Sequence, residues 1–293
     1  MNFYIVIPAH NEAEFIGKTL KSLTDQSLLP KKIVVVNDHS TDDTEKIVKA
    51  YAEEYAFIDY INISSNEKHL PGSKIINAFY KGLESLDDHF DVICKYDADL
   101  IFPKNYLESI KDSFTTKPNI GICGGICTVK KKEQWVNEGL TNNDHVRGAL
   151  KAYSKHCFEK IGGLKPSIGW DTVDELLAKY NSYEVKVLTN LRVKHLRPTG
   201  KSYAKKANHK QGEAFYKMRY GWPITFIAAL KLAFKKKQGI LFIDYCWGYL
   251  KAKQQKSPLL VSEKEGKWIR KYRWQGILKK LKLNLTPQQS PHQ

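Results

Sequence analysis

Ile33-Val34-Val35-Val36 is an unbroken apolar run, one of several short runs that alternate with segments of helical spacing. A strand apolar at every position has no face to give to water. It needs cover on both sides, which parallel sheets obtain from their crossover helices. The strands expected on this basis are Phe3–Pro8, Lys32–Asn37, Phe57–Ile63, Val92–Tyr96, Gly121–Val129 and Val185–Val193. Helices are expected over Glu12–Leu23, Thr41–Tyr55, Ser73–Leu86, Pro103–Phe114, Asp144–Ile161 and Asp171–Tyr180. Strand–helix alternation of this kind predicts an α/β fold with a doubly wound, mostly parallel sheet. Gly124-Gly125 marks a bend or bulge, and Gly162-Gly163 stops the fifth helix.

After Pro198 the pattern changes. Lys201–Lys210 is basic and polar and reads as a loop, and two aromatic-rich apolar segments follow, Trp222–Phe234 and Ile240–Leu250. From His195 onward 22 Lys and Arg stand against 4 Asp and Glu, whereas residues 1–194 carry 25 against 27. A basic part beside a nearly neutral one points to an anionic partner for the former. A 13-residue helix covers roughly 20 Å, short of the roughly 30 Å of a bilayer core. The two segments therefore read either as helices lying in a membrane surface or as core helices. The expected division is 1–198 catalytic, 199–283 a basic helical extension, and 284–293 a disordered tail rich in Pro and Gln. With 42% hydrophobic residues the chain has enough for a core, which excludes global disorder. Five cysteines without a C-x-x-C pair read as reduced, buried thiols of a cytoplasmic protein. Phe3–Ala9 has no basic leader and reads as a buried strand, not a secretory signal.

The groups that carry chemistry fall where strands end, the usual place for ligands in open α/β sheets. Pro8-Ala9-His10-Asn11-Glu12 leaves the first strand, and Asn37-Asp38-His39-Ser40-Thr41-Asp42 leaves the second. Asp38 is placed to accept hydrogen bonds from a base or ribose, while Ser40 or Thr41 can cap the next helix. Asp97-Ala98-Asp99 leaves the fourth strand. Two carboxylates one residue apart can share a divalent cation, and hard oxygen ligands suit Mg²⁺ or Mn²⁺ on a substrate phosphate. Gly169-Trp170-Asp171-Thr172-Val173-Asp174-Glu175 places three acids at a helix start. There they either satisfy the helix dipole or supply a catalytic carboxylate. Neither a G-x-G-x-x-G turn nor a phosphate-binding G-x-x-x-x-G-K-[ST] loop occurs. Lys68, Lys74 and Arg197 are cations that could face phosphate, although surface charge is their plainer role.

In this order and spacing, Pro8-Ala9-His10-Asn11-Glu12, Val34 to Thr44, Tyr96-Asp97-Ala98-Asp99 and Ile161-Gly162-Gly163-Leu164 before the acidic cluster resemble family 2 glycosyltransferases of the GT-A fold. The resemblance covers roughly residues 3–197. It implies inverting transfer of a sugar from a nucleotide sugar, with a UDP-sugar the first choice, to an acceptor hydroxyl. By that analogy Pro8, Ala9, Asn11 and Glu12 line the nucleotide pocket and Asp38 contacts base or ribose. Asp97 faces the ribose or donor sugar, and Asp99 holds Mg²⁺ or Mn²⁺ on the diphosphate. Some relatives place a His near the metal from the region of His195, which is otherwise a structural histidine. The family's base lies in a Glu-Asp pair. Here Trp170-Asp171 stands in its place with Asp174-Glu175 beyond it, so Asp171 and Asp174 are both candidates.

Together with the basic extension, the resemblance implies a cytoplasmic enzyme held peripherally at an anionic membrane surface. It would act on a lipid-linked acceptor or cell-envelope glycan. Two alternatives use the same residues differently. A metal-dependent nucleotidyltransferase would show a Gly-rich basic loop after the first strand, where this chain has His-Asn-Glu. A nucleic-acid binder would spread its aromatics among the lysines, whereas here they cluster in apolar segments. No nucleic-acid partner is expected.

Overall fold

β1 (Phe3–Ala9) and β2 (Lys32–Asp38) are buried along almost their whole length, as their apolar runs require. Each fully buried Val or Ile there contributes roughly 1.5–3 kcal/mol of transfer free energy. β1 pairs in parallel with β2 on one side and with β4 (Val92–Tyr96) on the other, and β3 (Ile58–Ile63) extends β2 in parallel. The computed structural model describes residues 1–65, 72–139, 144–197 and 209–285, and the chain divides into two units, Met1–Tyr203 and Ala204–Gln293. In the first unit α1 (Ile16–Thr24), α2 (Thr44–Glu54), α3 (Ser73–Glu84) and α4 (Tyr106–Thr116) follow the early strands. α3 lies close on the sheet because Gly82 presents no side chain; a Cβ there would stand 2.5 Å from Val6 Cγ1.

The sheet runs β3-β2-β1-β4-β8-β6-β9-β5. Beyond β4 it is mixed. β8 (Leu150–Ser154) lies antiparallel between β4 and β6 (Ile120–Lys131), and β6 is parallel to β9 (Glu184–His195). The short strands β5 (Leu100–Ile101) and β7 (Gln134–Asn137) are antiparallel to β9 and β6. The β6–β9 register shifts between Gly124 and Ile126, the expected bulge. Close packing explains the glycine pair, since a Cβ on Gly125 would meet Leu191 O at 2.4 Å.

One element differs in kind from its sequence reading. The helix expected over Asp144–Ile161 is instead strand β8 followed by the short helix α5 (Lys155–Lys160). The reason is Lys151. The pattern treats a lysine as solvent-facing, which gives this segment helical spacing, but Lys151 is fully buried in the middle of the sheet and paired with acids of α6 (Trp170–Tyr180). Gly162 and Gly163 end α5 with φ of 67° and 66°, the left-handed backbone that favours glycine.

The second unit contains α7 (Lys210–Lys217), α8 (Gly221–Lys235), α9 (Ile240–Gln254) and α10 (Glu263–Leu285). Both apolar segments are thus helical, and α10 lies within the expected helical extension, which was given no separate helix there. α7 crosses α9 at two glycines: a Cβ on Gly212 or Gly248 would lie 1.9 Å from the facing backbone oxygen of Tyr245 or His209. The expected loop Lys201–Lys210 lies outside the described residues except for its last two. The expected tail lies outside them too, except for Asn284 and Leu285, which end α10.

Candidate functional site

The loops leaving β1 and β2 are adjacent because Ala9 pairs with Asn37 in parallel register. Side chains then join them. Asn11 N–H donates to Ser40 Oγ at 2.9 Å, Thr41 N–H to Asn11 Oδ1 at 2.8 Å, and Glu12 N–H to Thr44 Oγ1 at 2.8 Å. Asn11 and His39 take φ of 53° and 52°, a strained region that Asn tolerates better than most residues. Asp38 accepts from Ser65 N–H at 2.9 Å and from Ser65 Oγ at 2.6 Å. Pro8, Ala9, Asn11, Glu12 and Asp38 therefore share one rim of the sheet.

Asp97-Ala98-Asp99 follows β4 and turns at once into β5. Two hydroxyls of α1 hold that turn: Thr19 Oγ1 donates to Ala98 O at 2.7 Å and accepts from Leu100 N–H at 3.0 Å, and Ser22 Oγ accepts from Phe102 N–H at 3.1 Å. β5 pairs Leu100 with His195, and Leu196 N–H donates to Asp99 O at 2.9 Å. This pairing sets His195 Nε2 3.3 Å from Asp99 Oδ2, while His195 Nδ1 lies 3.6 Å from Glu138 Oε1. Burial disfavours the charged imidazole, but Asp99 and Glu138 outweigh that and lift its pKa to about 9. The corner is built to hold positive charge. Cys127, Glu138 and His195 also bring ligand atoms within 4.8 Å of one another. Cys127 offers a soft sulfur donor, which suits neither Mg²⁺ nor Mn²⁺. The donors that fit Mg²⁺ or Mn²⁺ are oxygen and imidazole nitrogen, which Asp99 and His195 supply.

Asp97 does not stand free beside Asp99. It forms an ion pair with Lys95, which is buried in β4 and lies 5.4 Å from the Trp170 ring centre. On the outer side Arg197 binds Glu12 through two bonds of 2.9 Å. Burial raises the Glu12 carboxyl to about 7; Asp99 and Asp97 raise it further and Arg197 opposes them. Glu12 is thus electrostatically part of the same site as the two aspartates. Lys74 stands in the first turn of α3, and Lys68 lies outside the described residues.

α6 begins at Trp170, after Gly169 in left-handed backbone (φ 80°). Asp171 and Asp174, three residues apart, meet different surroundings. Asp174 is 1% exposed, takes Lys151 Nζ at 2.9 Å on both oxygens, and accepts from Tyr153 Oη at 2.5 Å. Asp171 reaches the surface. Burial favours its neutral form, but His145 and Lys151 prevail and bring its pKa down to about 2, so it is ionised at neutral pH. His145 lies 3.8 Å from Asp171 Oδ2 and 3.0 Å from Glu175 Oε2. These two acids overcome its burial and raise its pKa to about 9.

The structure therefore brings Pro8, Ala9, Asn11, Glu12, Asp38, Asp97, Asp99 and His195 to one sheet edge. It links α6 to that edge through Lys95 and Trp170. Sequence reasoning missed Lys95, Glu138 and His145. Lys95 had one visible signal, a charge inside an otherwise apolar strand. Glu138 and His145 lie in irregular segments and had none.

The family model described as Glycosyl transferase family 2 matches residues 4–162. Probable glycosyltransferase YdaM of Bacillus subtilis (strain 168) is 37% identical over 98 residues, 32% of this chain and 22% of that protein. The match thus spans well under two thirds of that relative. Among solved structures, mannosyltransferase PcManGT from Pyrobaculum calidifontis, in complex with GDP-Man and Mn²⁺, superposes with a TM-score of 0.57 at 16% identity, over 94% of this chain and 80% of that one. S. aureus TarS 1-349 in complex with UDP-GlcNAc gives a TM-score of 0.55 at 19% identity, over 75% and 65%. At these identities the likeness carries the fold.

Proposed function

We propose that this chain, which belongs to glycosyl transferase family 2 and has its GT-A fold, moves a sugar from a nucleoside-diphosphate donor to an acceptor hydroxyl with inversion at the anomeric carbon. The observation that carries this reading is the β5–β9 pairing. It sets His195 against Asp99 at the sheet edge where Pro8, Ala9, Asn11, Glu12 and Asp38 meet. Those five residues line the pocket for base and ribose, and Asp97 with Lys95 faces the donor's ribose or sugar. Mg²⁺ or Mn²⁺ held by Asp99 and His195, with Asp97 beside them, would offset charge on the departing diphosphate.

Asp171 is the base. It is ionised and reaches the surface, whereas both oxygens of Asp174 are already engaged in the interior. Asp171 accepts the acceptor's hydroxyl proton while that oxygen bonds to the anomeric carbon and the bond to the nucleoside diphosphate breaks. One displacement inverts the centre and needs no covalent enzyme intermediate. Asp174 keeps Lys151 neutralised and the floor of α6 rigid.

The donor class is a nucleotide sugar, with UDP-sugars first. The UDP-GlcNAc complex of TarS and the GDP-Man complex of PcManGT, both on this fold, support the class. The acceptor is a cell-envelope or lipid-linked glycan, and the site of action is the cytoplasmic face of an anionic membrane. The test is a thermal-shift screen of UDP- and GDP-sugars with Mn²⁺, followed by an assay for nucleoside-diphosphate release. We expect one donor to raise the melting point. Asp99→Ala should cut release by about a hundredfold or more, because a bound metal supplies several kcal/mol. Asp171→Asn should do the same while still binding donor. Unchanged turnover in Asp99→Ala would overturn the reading.

A further inference from the structure

Two helices of the second unit expose a broad apolar face. On α8, Trp222, Phe226, Leu230 and Phe234 are exposed and recur at every fourth position, so they form one stripe. On α9, Ile240, Ile243, Trp247 and Leu250 are exposed at spacings of three and four. Between the two helices Ala229 and Ala233 form a buried cluster with Leu241 and Tyr245. Trp222 meets Tyr249 at 5.6 Å and Phe226 meets Phe242 at 5.0 Å, ring centre to ring centre. Early α8 thus lies beside late α9. In that antiparallel pair Trp222 and Phe226 border the seam, and the remaining exposed residues stand on the same two packed helices. Phe234 is 87% exposed and Trp247 58%. Single exposed apolar residues are ordinary, but eight large ones on two helices in contact mark an interaction surface.

The charge around this face selects its partner. Lys231 and Lys235 on α8, Lys236 and Lys237 in the turn, and Lys251 and Lys253 on α9 accompany the stripes on the same elements. The only acid in either helix is Asp244, which is half-buried. Across residues 204–293, 20 Lys and Arg stand against 4 Asp and Glu. A second copy seated here would set two strongly cationic units against each other, which disfavours self-association. No described helix is long and apolar enough to cross a membrane. Each of these two, at 15 residues, covers about 22 Å, against a hydrocarbon core of roughly 30 Å.

We propose that the α8–α9 face docks flat on an anionic lipid bilayer, with its aromatic and aliphatic side chains in the interface and its lysines on the headgroup phosphates. This specifies the surface behind the membrane part of the proposed function and is independent of the transfer chemistry. The test uses the full chain with vesicles of phosphatidylcholine, with and without phosphatidylglycerol. Cosedimentation should occur with the anionic vesicles alone, weaken as salt rises, and be accompanied by a blue shift of tryptophan emission. Phe234→Asp with Trp247→Glu, and separately Lys235→Glu with Lys236→Glu and Lys237→Glu, should each lower vesicle partitioning at least about tenfold. The first pair is solvent-facing, and unchanged circular dichroism would show that the fold persists in both variants. A donor-and-Mn²⁺ thermal shift should be the same in parent and variants, so loss of docking is read apart from loss of the catalytic reading. Equal binding to neutral and anionic vesicles, binding to neither, unaltered binding by both variants, or a dimer that dissociates in the Phe234→Asp variant would each overturn the proposal.

Discussion

His195 stands between Asp99 and Glu138, one carboxylate facing each ring nitrogen. A ligand histidine is commonly oriented by a carboxylate on its other nitrogen, and removing that partner typically costs 10–100-fold in metal affinity. Glu138→Gln should therefore weaken Mn²⁺ binding by about that factor, read as free Mn²⁺ by electron paramagnetic resonance during titration. His145 gives a second prediction. Its pKa is about 9 in the fold against 6.5 ordinarily, so its contribution is complete below about 6.5 and is lost as pH rises through about 9. His195 contributes with the same sign over the same interval. The melting temperature should fall across this range, and His145→Ala should flatten the fall. Melting curves recorded at successive pH values test this; a variant with the parent's slope would contradict it. These residues also show how much of the site was legible. Asp97 and Asp99 could be placed because the apolar run before them ends at a definite strand exit. Glu138 and His145 act only through contacts made by distant chain segments, and no local pattern encodes such contacts.

Among the elements, the parallel strands β1 to β4 were readable because burial on both faces leaves an uninterrupted apolar record. β8 was not, because its buried Lys151 is compensated by Asp174 and Glu175 on a later helix. β5 and β7 are too short to carry a period, and α10 has a mixed, weakly amphipathic sequence. The α7–α9 crossing yields a test at this level. Gly248→Ala would force a methyl group against the His209 carbonyl and should destabilise the second unit by about 1–3 kcal/mol. Gly276, inside α10, has open space where its Cβ would stand, and Gly276→Ala should add about 0.5–1 kcal/mol. Urea denaturation followed by circular dichroism should move the two midpoints in opposite directions. A shared direction would mean that the crossing is looser than described.

Across the whole molecule, charge separates as the fold does: residues 1–203 balance 27 Lys and Arg against 27 Asp and Glu, while the remainder is strongly cationic. The fold class and the strand-end position of the candidate residues were legible because both follow from patterns repeated along the chain. The closing of the sheet by β9 was not, since nothing near Leu100 announces a partner at His195. That pairing leads to a prediction: a chain cut after residue 183 keeps β1 to β8 but lacks β9, and its melting point should not respond to Mn²⁺ with a nucleotide sugar. A response equal to that of the full chain would show that the ion is gripped without His195. The same pairing has a consequence during synthesis. N-terminal segments emerge first, so the carboxylates exist as an incomplete half-socket until translation has passed the far strand. Under the proposed function, donor chemistry would then wait until the last strand of the sheet has been made and paired.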